Sequence, residues 1–215
     1  MSLLRTTGER RKVTVIGPTG AGKTTLIYRV CYGEFVEDIQ PTIGAAFSER
    51  YLTGVDELEY VLQFWDTAGM ERYASIVPMY YPNTFVFWMV FDLADRDSLR
   101  KLQLISIALF QKVREDVLIY LIGNKRDLCG VCNWKHEIEA FMTSLAHVQY
   151  FEVSAKTGEN VNLLLYEMQK DCCSAPNTQT LQIDQEIPEA SQTNKKCCRF
   201  CHFLFWRWKK SYSET

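Results

Sequence analysis

The segment Gly17-Pro18-Thr19-Gly20-Ala21-Gly22-Lys23-Thr24 constrains this chain more than any other. An apolar strand-like run, Lys12–Ile16, precedes it, and a helix-like stretch, Lys23–Tyr32, follows at once. Glycines spaced in this way let backbone N–H groups turn inward, where they cradle phosphate. A helix starting at the same place adds its partial positive charge. Lys23 would reach the outer phosphates, and Thr24 would offer a hydroxyl to Mg²⁺. The candidate phosphate contacts are Gly17, Thr19, Gly20, Ala21, Gly22, Lys23, Thr24 and Thr25. The competing reading, a glycine turn that only happens to precede Lys-Thr, is disfavoured by the strand–loop–helix context. The loop by itself does not choose between ATP and GTP.

The rest of the chain to about Cys172 alternates strand-like and helix-like segments. After the first strand and helix, strands are expected near Ala45–Thr53 and Leu58–Asp66, joined by a turn at Gly54-Val55-Asp56-Glu57. Further strands are expected at Thr84–Phe91, Val117–Ile122 and Gln149–Val153. Helices are expected at Ser98–Lys112, Trp134–Ala146 and Asn160–Lys170. Phe85–Phe91 and Val117–Ile122 are apolar on both faces, as in central parallel strands covered by helices. The fold class is therefore α/β: an open, mostly parallel sheet with one antiparallel edge pair, binding ligands at the carboxyl ends of its strands.

Composition removes several alternatives. Of 215 residues, 47% are hydrophobic and 23% charged, which excludes a disordered or collagen-like chain. A net charge of −2 gives no whole-chain attraction to nucleic acid, and no nucleic-acid-binding motif is present. The longest near-continuous apolar run, Phe85–Phe91, is about a third of what spans a bilayer. The opening MSLLRTTGERRK lacks a signal-like apolar stretch, so the eight cysteines read as reduced thiols. Residues 1–11 read as a flexible lead-in and 12–173 as one domain. Residues 174–194, rich in Ser, Thr, Gln, Asn, Pro and Glu, read as a disordered linker with an average reach of about 25 Å. Residues 195–215 form a basic, aromatic, Cys-rich tail.

Three further stretches carry chemistry. Asn124-Lys125-Arg126-Asp127 follows a strand. An Asp there accepts hydrogen bonds from guanine's ring N–H and exocyclic amine. Adenine would leave that carboxylate unpaired, at about 1–3 kcal/mol or more. The Lys125 stem can cover one face of the base. Ser154-Ala155-Lys156 follows the last strand, where the Ala155 N–H would donate to the guanine carbonyl. Each is common loop composition; together, in order behind a phosphate loop, they select guanine, and a phosphate-transferring kinase is disfavoured. Asp66-Thr67-Ala68-Gly69 ends the second hairpin strand. Asp66 is placed to hold a water of Mg²⁺, the Gly69 N–H to contact a terminal phosphate, and Thr42 to add a second hydroxyl to the metal. Thr42 also reads as a plain turn threonine.

The set GPTGAGKT, PTIG, WDTAG, NKRD and SAK, in this order and spacing, resembles a Ras-superfamily small GTPase. The hairpin stretches Ile43–Phe47 and Trp65–Gly69, with Glu71-Arg72-Tyr73 and Pro78–Tyr81, resemble the Rab branch, in particular its early-endosomal subgroup. The resemblance covers about Lys12–Cys173. It implies a P-loop NTPase three-layer fold with about six strands. It implies a monomeric GTP/GDP switch with Mg²⁺ and partners of three kinds: effectors, an exchange factor and an activating protein. It also implies that Phe35 stacks on the guanine, and that Phe47, Trp65 and Tyr80 form an aromatic triad read by effectors. Ordinary core packing is the other reading of these aromatics, above all of Trp65.

Two departures stand out. Met70 occupies the position of the glutamine that usually orients the attacking water, and a thioether is a poor hydrogen-bond partner. Slow unaided hydrolysis follows, with Lys23 still supplying charge to the transition state. By the resemblance, an activator can supply arginine, and glutamine too, in trans. Thr19 stands where a smaller residue is usual. The tail raises a separate question. Asn194-Lys195-Lys196-Cys197-Cys198 resembles a prenylated Rab ending, with Cys197 and Cys198 as lipid sites, yet residues 199–215 follow. Three readings stand: a reading past the usual stop, removal of the extra residues, or a different anchor. For the last, Phe200, Phe203, Trp206 and Trp208 interleave with Lys195, Lys196, Arg199, Arg207, Lys209 and Lys210, which suits a cytosolic endomembrane face. Cys129-x-x-Cys132 with His136 hints weakly at zinc but wants a fourth ligand.

Overall fold

The computed structural model describes residues 8–37, 39, 42, 45–67, 77–111, 113, 117–130, 132 and 134–174. Strand β1 (Glu9–Ile16) leads through the glycine loop into helix α1 (Lys23–Tyr32). Strands β2 (Ala45–Thr53) and β3 (Glu59–Thr67) form the hairpin. A 3-10 turn at Val77–Tyr80 precedes β4 (Val86–Asp92) and α2 (Arg96–Phe110). Then come β5 (Leu118–Asn124), a 3-10 turn at Arg126–Leu128, α3 (Lys135–Thr143), β6 (Val148–Glu152) and α4 (Val161–Ser174).

The six strands run in the order β2-β3-β1-β4-β5-β6. Only β2 against β3 is antiparallel; the other neighbours are parallel. The doubly apolar runs sit where a two-sided core requires them. β4 is buried from Val86 to Phe91, flanked by β1 and β5. On one face Val13, Val15, Phe64, Trp88, Val90 and Tyr120 meet Leu26, Ile27 and Val30 of α1 and Leu164, Met168 and Cys172 of α4. The alternate residues Phe87, Met89, Phe91 and Leu121 point to the opposite face. The residues buried outside the first cluster include Leu99, Leu102 and Leu109 of α2 and Ile138 and Phe141 of α3. Each helix thus spends one apolar stripe on the sheet.

The structure corrects several sequence boundaries. β1 starts at Glu9, three residues inside the lead-in expected over residues 1–11, because Glu9–Arg11 pair with Tyr60–Leu62 of β3. The reason is side-chain as well as backbone. Arg11 is 2% exposed, its guanidinium lies 5.7 Å from the Tyr60 ring centre and 5.1 Å from that of Phe85, and it donates to the Cys172 carbonyl. A basic residue that looks solvated in sequence is a buried pin between β1 and α4. β5 runs on to Asn124, and α4 continues one turn past Lys170 to Ser174. That last turn carries Cys173 against the hairpin turn. A Cβ on Gly54 would lie 2.7 Å from Cys173 Sγ and 2.4 Å from Asp56 Oδ1, so a side chain there would have to displace both. Tyr60 donates to Asp56 at 2.7 Å in the same corner.

Candidate nucleotide site

The glycine loop takes its shape from its neighbours. Gly17 has φ +152, and a Cβ there would meet the Val90 carbonyl of β4 at 2.0 Å. Gly22, the residue before α1, has φ +81, and a Cβ would meet Asn124 Nδ2 at 2.4 Å. Both positions demand glycine for backbone conformation and for space. No side-chain cap closes the start of α1 among the described residues, which leaves its first N–H groups to other acceptors. Lys23 is buried and donates to the Gly17 carbonyl at 2.9 Å and the Pro18 carbonyl at 3.0 Å, spanning the loop from below. Ala21 is buried, Thr19 and Gly20 are exposed at the rim, and Thr25 is half-buried on α1.

The expected metal residues come together. Thr24 Oγ1 donates to Asp66 Oδ2 at 2.6 Å, Thr42 Oγ1 donates to the same oxygen at 3.2 Å, and the two hydroxyls are 3.0 Å apart. Asp66 sits at the end of β3 and is 3% exposed. Burial pushes its carboxyl above the ordinary value, while the Thr24 hydroxyl, the Lys23 ammonium and the Thr42 hydroxyl pull it back. Its other oxygen, Oδ1, is buried without a hydrogen-bond partner among the described residues. A buried, bare carboxylate oxygen beside two hydroxyls fits a hard divalent cation such as Mg²⁺, which takes oxygen ligands and keeps several waters.

At the other end of the site, loops from β5 and β6 meet. Asn124, 1% exposed, donates through Nδ2 to the Ala21 carbonyl at 3.0 Å and accepts the Ala155 N–H on Oδ1 at 3.1 Å. It therefore ties the glycine loop to the Ser154–Lys156 loop. Sequence alone gave that Ala155 N–H to a guanine carbonyl; here its partner is Asn124. Ser154 donates to Asp127 Oδ1 at 2.6 Å and accepts the Thr157 N–H at 3.0 Å. Asp127 is exposed on its 3-10 turn, so one side of the carboxylate is held and the rest faces outward. Lys125 adopts φ +63 and pairs with Asp92 at the end of β4 at 2.7 Å. Its stem passes Gly22, with Cε 3.9 Å from where a Cβ would stand. Lys156 is exposed and its carbonyl accepts from Arg29 Nη2. Phe35 is half-buried, two residues past Gly33.

Sequence reasoning missed Asp92 and Arg29, whose partners lie far along the chain. The only sequence signal was Arg29 itself, a basic residue in the last turn of α1. Gly69, Met70, Cys197 and Cys198 lie outside the described residues. Among the described residues no group of three or more His, Cys, Asp or Glu could hold a metal ion.

A second surface lies on the hairpin. Phe47 and Trp65 pack edge-on with ring centres 5.4 Å apart, and Trp65 and Tyr80 lie 5.6 Å apart. Phe47 is 49% exposed, whereas Trp65 and Tyr80 are half-buried. Lys12 braces the group from beneath, with Nζ 4.9 Å from the Trp65 ring centre and donating to the Pro82 carbonyl. Trp65 therefore serves both packing and surface, and Phe47 is the exposed end.

A glycine loop, a Thr–Thr–Asp cluster and the two loops after β5 and β6, on a sheet in which only one edge pair is antiparallel among the described residues, suit a nucleotide-binding α/β class. The chain belongs to the Ras family, whose model matches residues 12–174, and within it to the Rab branch. It is 37% identical over 175 residues to the GTP-binding protein YPT53 of Saccharomyces cerevisiae, covering 78% of this chain and 79% of that one. It is 35% identical over 199 residues to the Ras-related protein Rab-24 of Dictyostelium discoideum, covering 87% and 96%. It is 32% identical over 190 residues to the Ras-related protein Rab5 of Nicotiana tabacum, covering 87% and 94%. Rab proteins are GTPase switches in membrane traffic that bind GTP or GDP, typically with Mg²⁺, and work through effectors, exchange factors and activating proteins. Among the described residues no helix is long and apolar enough to cross a membrane.

Proposed function

We propose that this chain is a guanine-nucleotide switch of endosomal or neighbouring traffic that hydrolyses GTP slowly by itself. The observation that carries the reading is the convergence of Thr24, Thr42 and Asp66 at one end of a site whose other end presents Asp127 beside Ser154. In this reading Gly17, Gly20, Ala21, Gly22 and Lys23 hold the phosphates. Thr24 and Thr42 would ligate Mg²⁺ and Asp66 would hold one of its waters, and the bound ion would supply neutralisation of phosphate charge. Asp127 selects guanine, Lys125 covers one face of the base and Phe35 the other. Binding of GTP to the purified chain, compared by calorimetry with ATP, tests it; equal affinity for the two would overturn the reading.

Met70 carries the slow turnover. Without a side chain that orients water, transition-state charge rests on Lys23 and the loop amides, and an activator's arginine would add about 10³–10⁵ in rate. Single-turnover phosphate release by the chain should be slow and Met70→Gln should speed it. Rapid release by the unaltered chain would end the claim. Met70 also favours a second reading, a GTP-loaded adaptor that hardly cycles and recruits effectors through Phe47, Trp65 and Tyr80. If Met70→Gln changes neither hydrolysis nor the loaded state, the adaptor reading holds.

Beyond the domain, residues 174–194 would act as a tether and 195–215 as the membrane-seeking end on the cytosolic face of endomembranes. Cys197 and Cys198 are the lipid sites if the chain is trimmed behind them, and the basic aromatic tail is the anchor if it is not. Intact mass of the native protein reports the true terminus and any lipid together. Liposome flotation of the full chain against one ending at Ser174 tests the tail; equal flotation would exclude it as the anchor.

A further inference from the structure

Arg29 lies on α1, outside every motif that marks the site. Its guanidinium nonetheless joins three carbonyls on two separate stretches of backbone. Nε donates to the Ala155 carbonyl at 2.8 Å, Nη2 to the Lys156 carbonyl, and Nη1 to the Gly33 carbonyl at 2.6 Å. The Ala155 peptide is thereby held on both sides, with its N–H on Asn124 and its carbonyl on Arg29. Gly33 is the left-handed cap of α1, and its own N–H returns to the Arg29 carbonyl. The chain leaves from there toward Phe35 and Thr42. One side chain thus fastens the base-facing loop to the end of the phosphate-binding helix, at the point where the metal-bearing loop departs.

We propose that Arg29 is a positioning residue for guanine binding, holding the Ser154–Lys156 loop at the height where it meets the base's 6-carbonyl edge. The inference rests on the guanine-nucleotide reading and deepens it. A planar fork is required: a lysine supplies charge but a single point of donation, and cannot reach three carbonyls set around the guanidinium plane. Loss of charge-assisted bonds to backbone should loosen the loop more than it loosens the fold.

The test uses the full chain and GDP release, followed by fluorescence, for the unaltered protein, Arg29→Lys and Arg29→Ala. Both variants should release GDP about tenfold faster, a change equivalent to about 1.4 kcal/mol. Arg29→Lys keeps the experiment informative if Arg29→Ala fails to fold. The discriminating readout is 6-thio-GDP, which keeps both donors for Asp127 but weakens the acceptor facing the loop. If Arg29 acts through that loop, the variants' penalty should shrink several-fold with 6-thio-GDP. An equal penalty for both nucleotides would make Arg29 a merely structural residue and overturn the inference, as would release by Arg29→Lys at the unaltered rate. If the unaltered chain does not prefer GDP to ADP, the nucleotide reading itself falls; if it does and the variants behave like it, only the role of Arg29 falls.

Discussion

At the phosphate end of the site, polar atoms converge within a short radius of one motif, and one of them, Asp66 Oδ1, is buried without a partner among the described residues. At the other end, several polar groups are already held by protein partners: Asn124 on Ala21 and Ala155, Lys125 on Asp92, Ser154 on one oxygen of Asp127. On the proposed guanine-nucleotide reading, the contrast follows from what each end would recognise. Phosphates and Mg²⁺ bring charge strong enough to reorganise nearby dipoles, so the protein supplies concentrated, desolvated groups. A neutral base brings only a pattern of donors and acceptors, so its loops have to be stiff beforehand.

Substitutions at the two ends should therefore fail in different ways. Lys23→Ala should have the largest effect, lowering affinity for GTP and GDP alike by more than about 100-fold, read by calorimetry. A loss confined to GTP would break the comparison. Asp127→Ala should keep triphosphate binding but lower the preference for guanine over adenine by about 10–100-fold. Thr24→Ala should sharpen the metal side: the faster GDP release that a chelator produces in the unaltered chain should shrink by about tenfold. Ser154→Ala should be mildest, leaving Asp127 without its clasp and weakening GDP by about fivefold with little change in the response to chelator.

The same contrast explains what could be read before folding. The phosphate end was legible because its demands are local. Glycines are needed at Gly17 and Gly22 for conformation and clearance, and Lys23 and Thr24 follow within the loop. Central strand β4 was legible from its unbroken apolar run. The base-end residues were legible as motifs, but their connections were not. Arg29 binds carbonyls 126 and 127 positions away, and nothing in YRVCYG distinguishes such an arginine from a solvated one. Arg11 misled in the same way: it reads as surface charge and is buried between two rings, reaching Cys172 across 161 positions. Met70 and the cysteine tail rest on sequence alone, since both lie outside the described residues.

The corner where Gly54, Asp56 and Tyr60 meet Cys173 has a mechanical consequence. It clamps the blunt end of the two-stranded ribbon to the last helix, while the opposite end carries Ala45, Phe47 and Trp65. Because β3 is also paired to β1 from Tyr60 to Asp66, the ribbon is fixed along one whole edge as well as at this corner. Phe47 therefore projects from an outer strand whose mounting is rigid on two sides, so a partner that grips it meets a fixed handle.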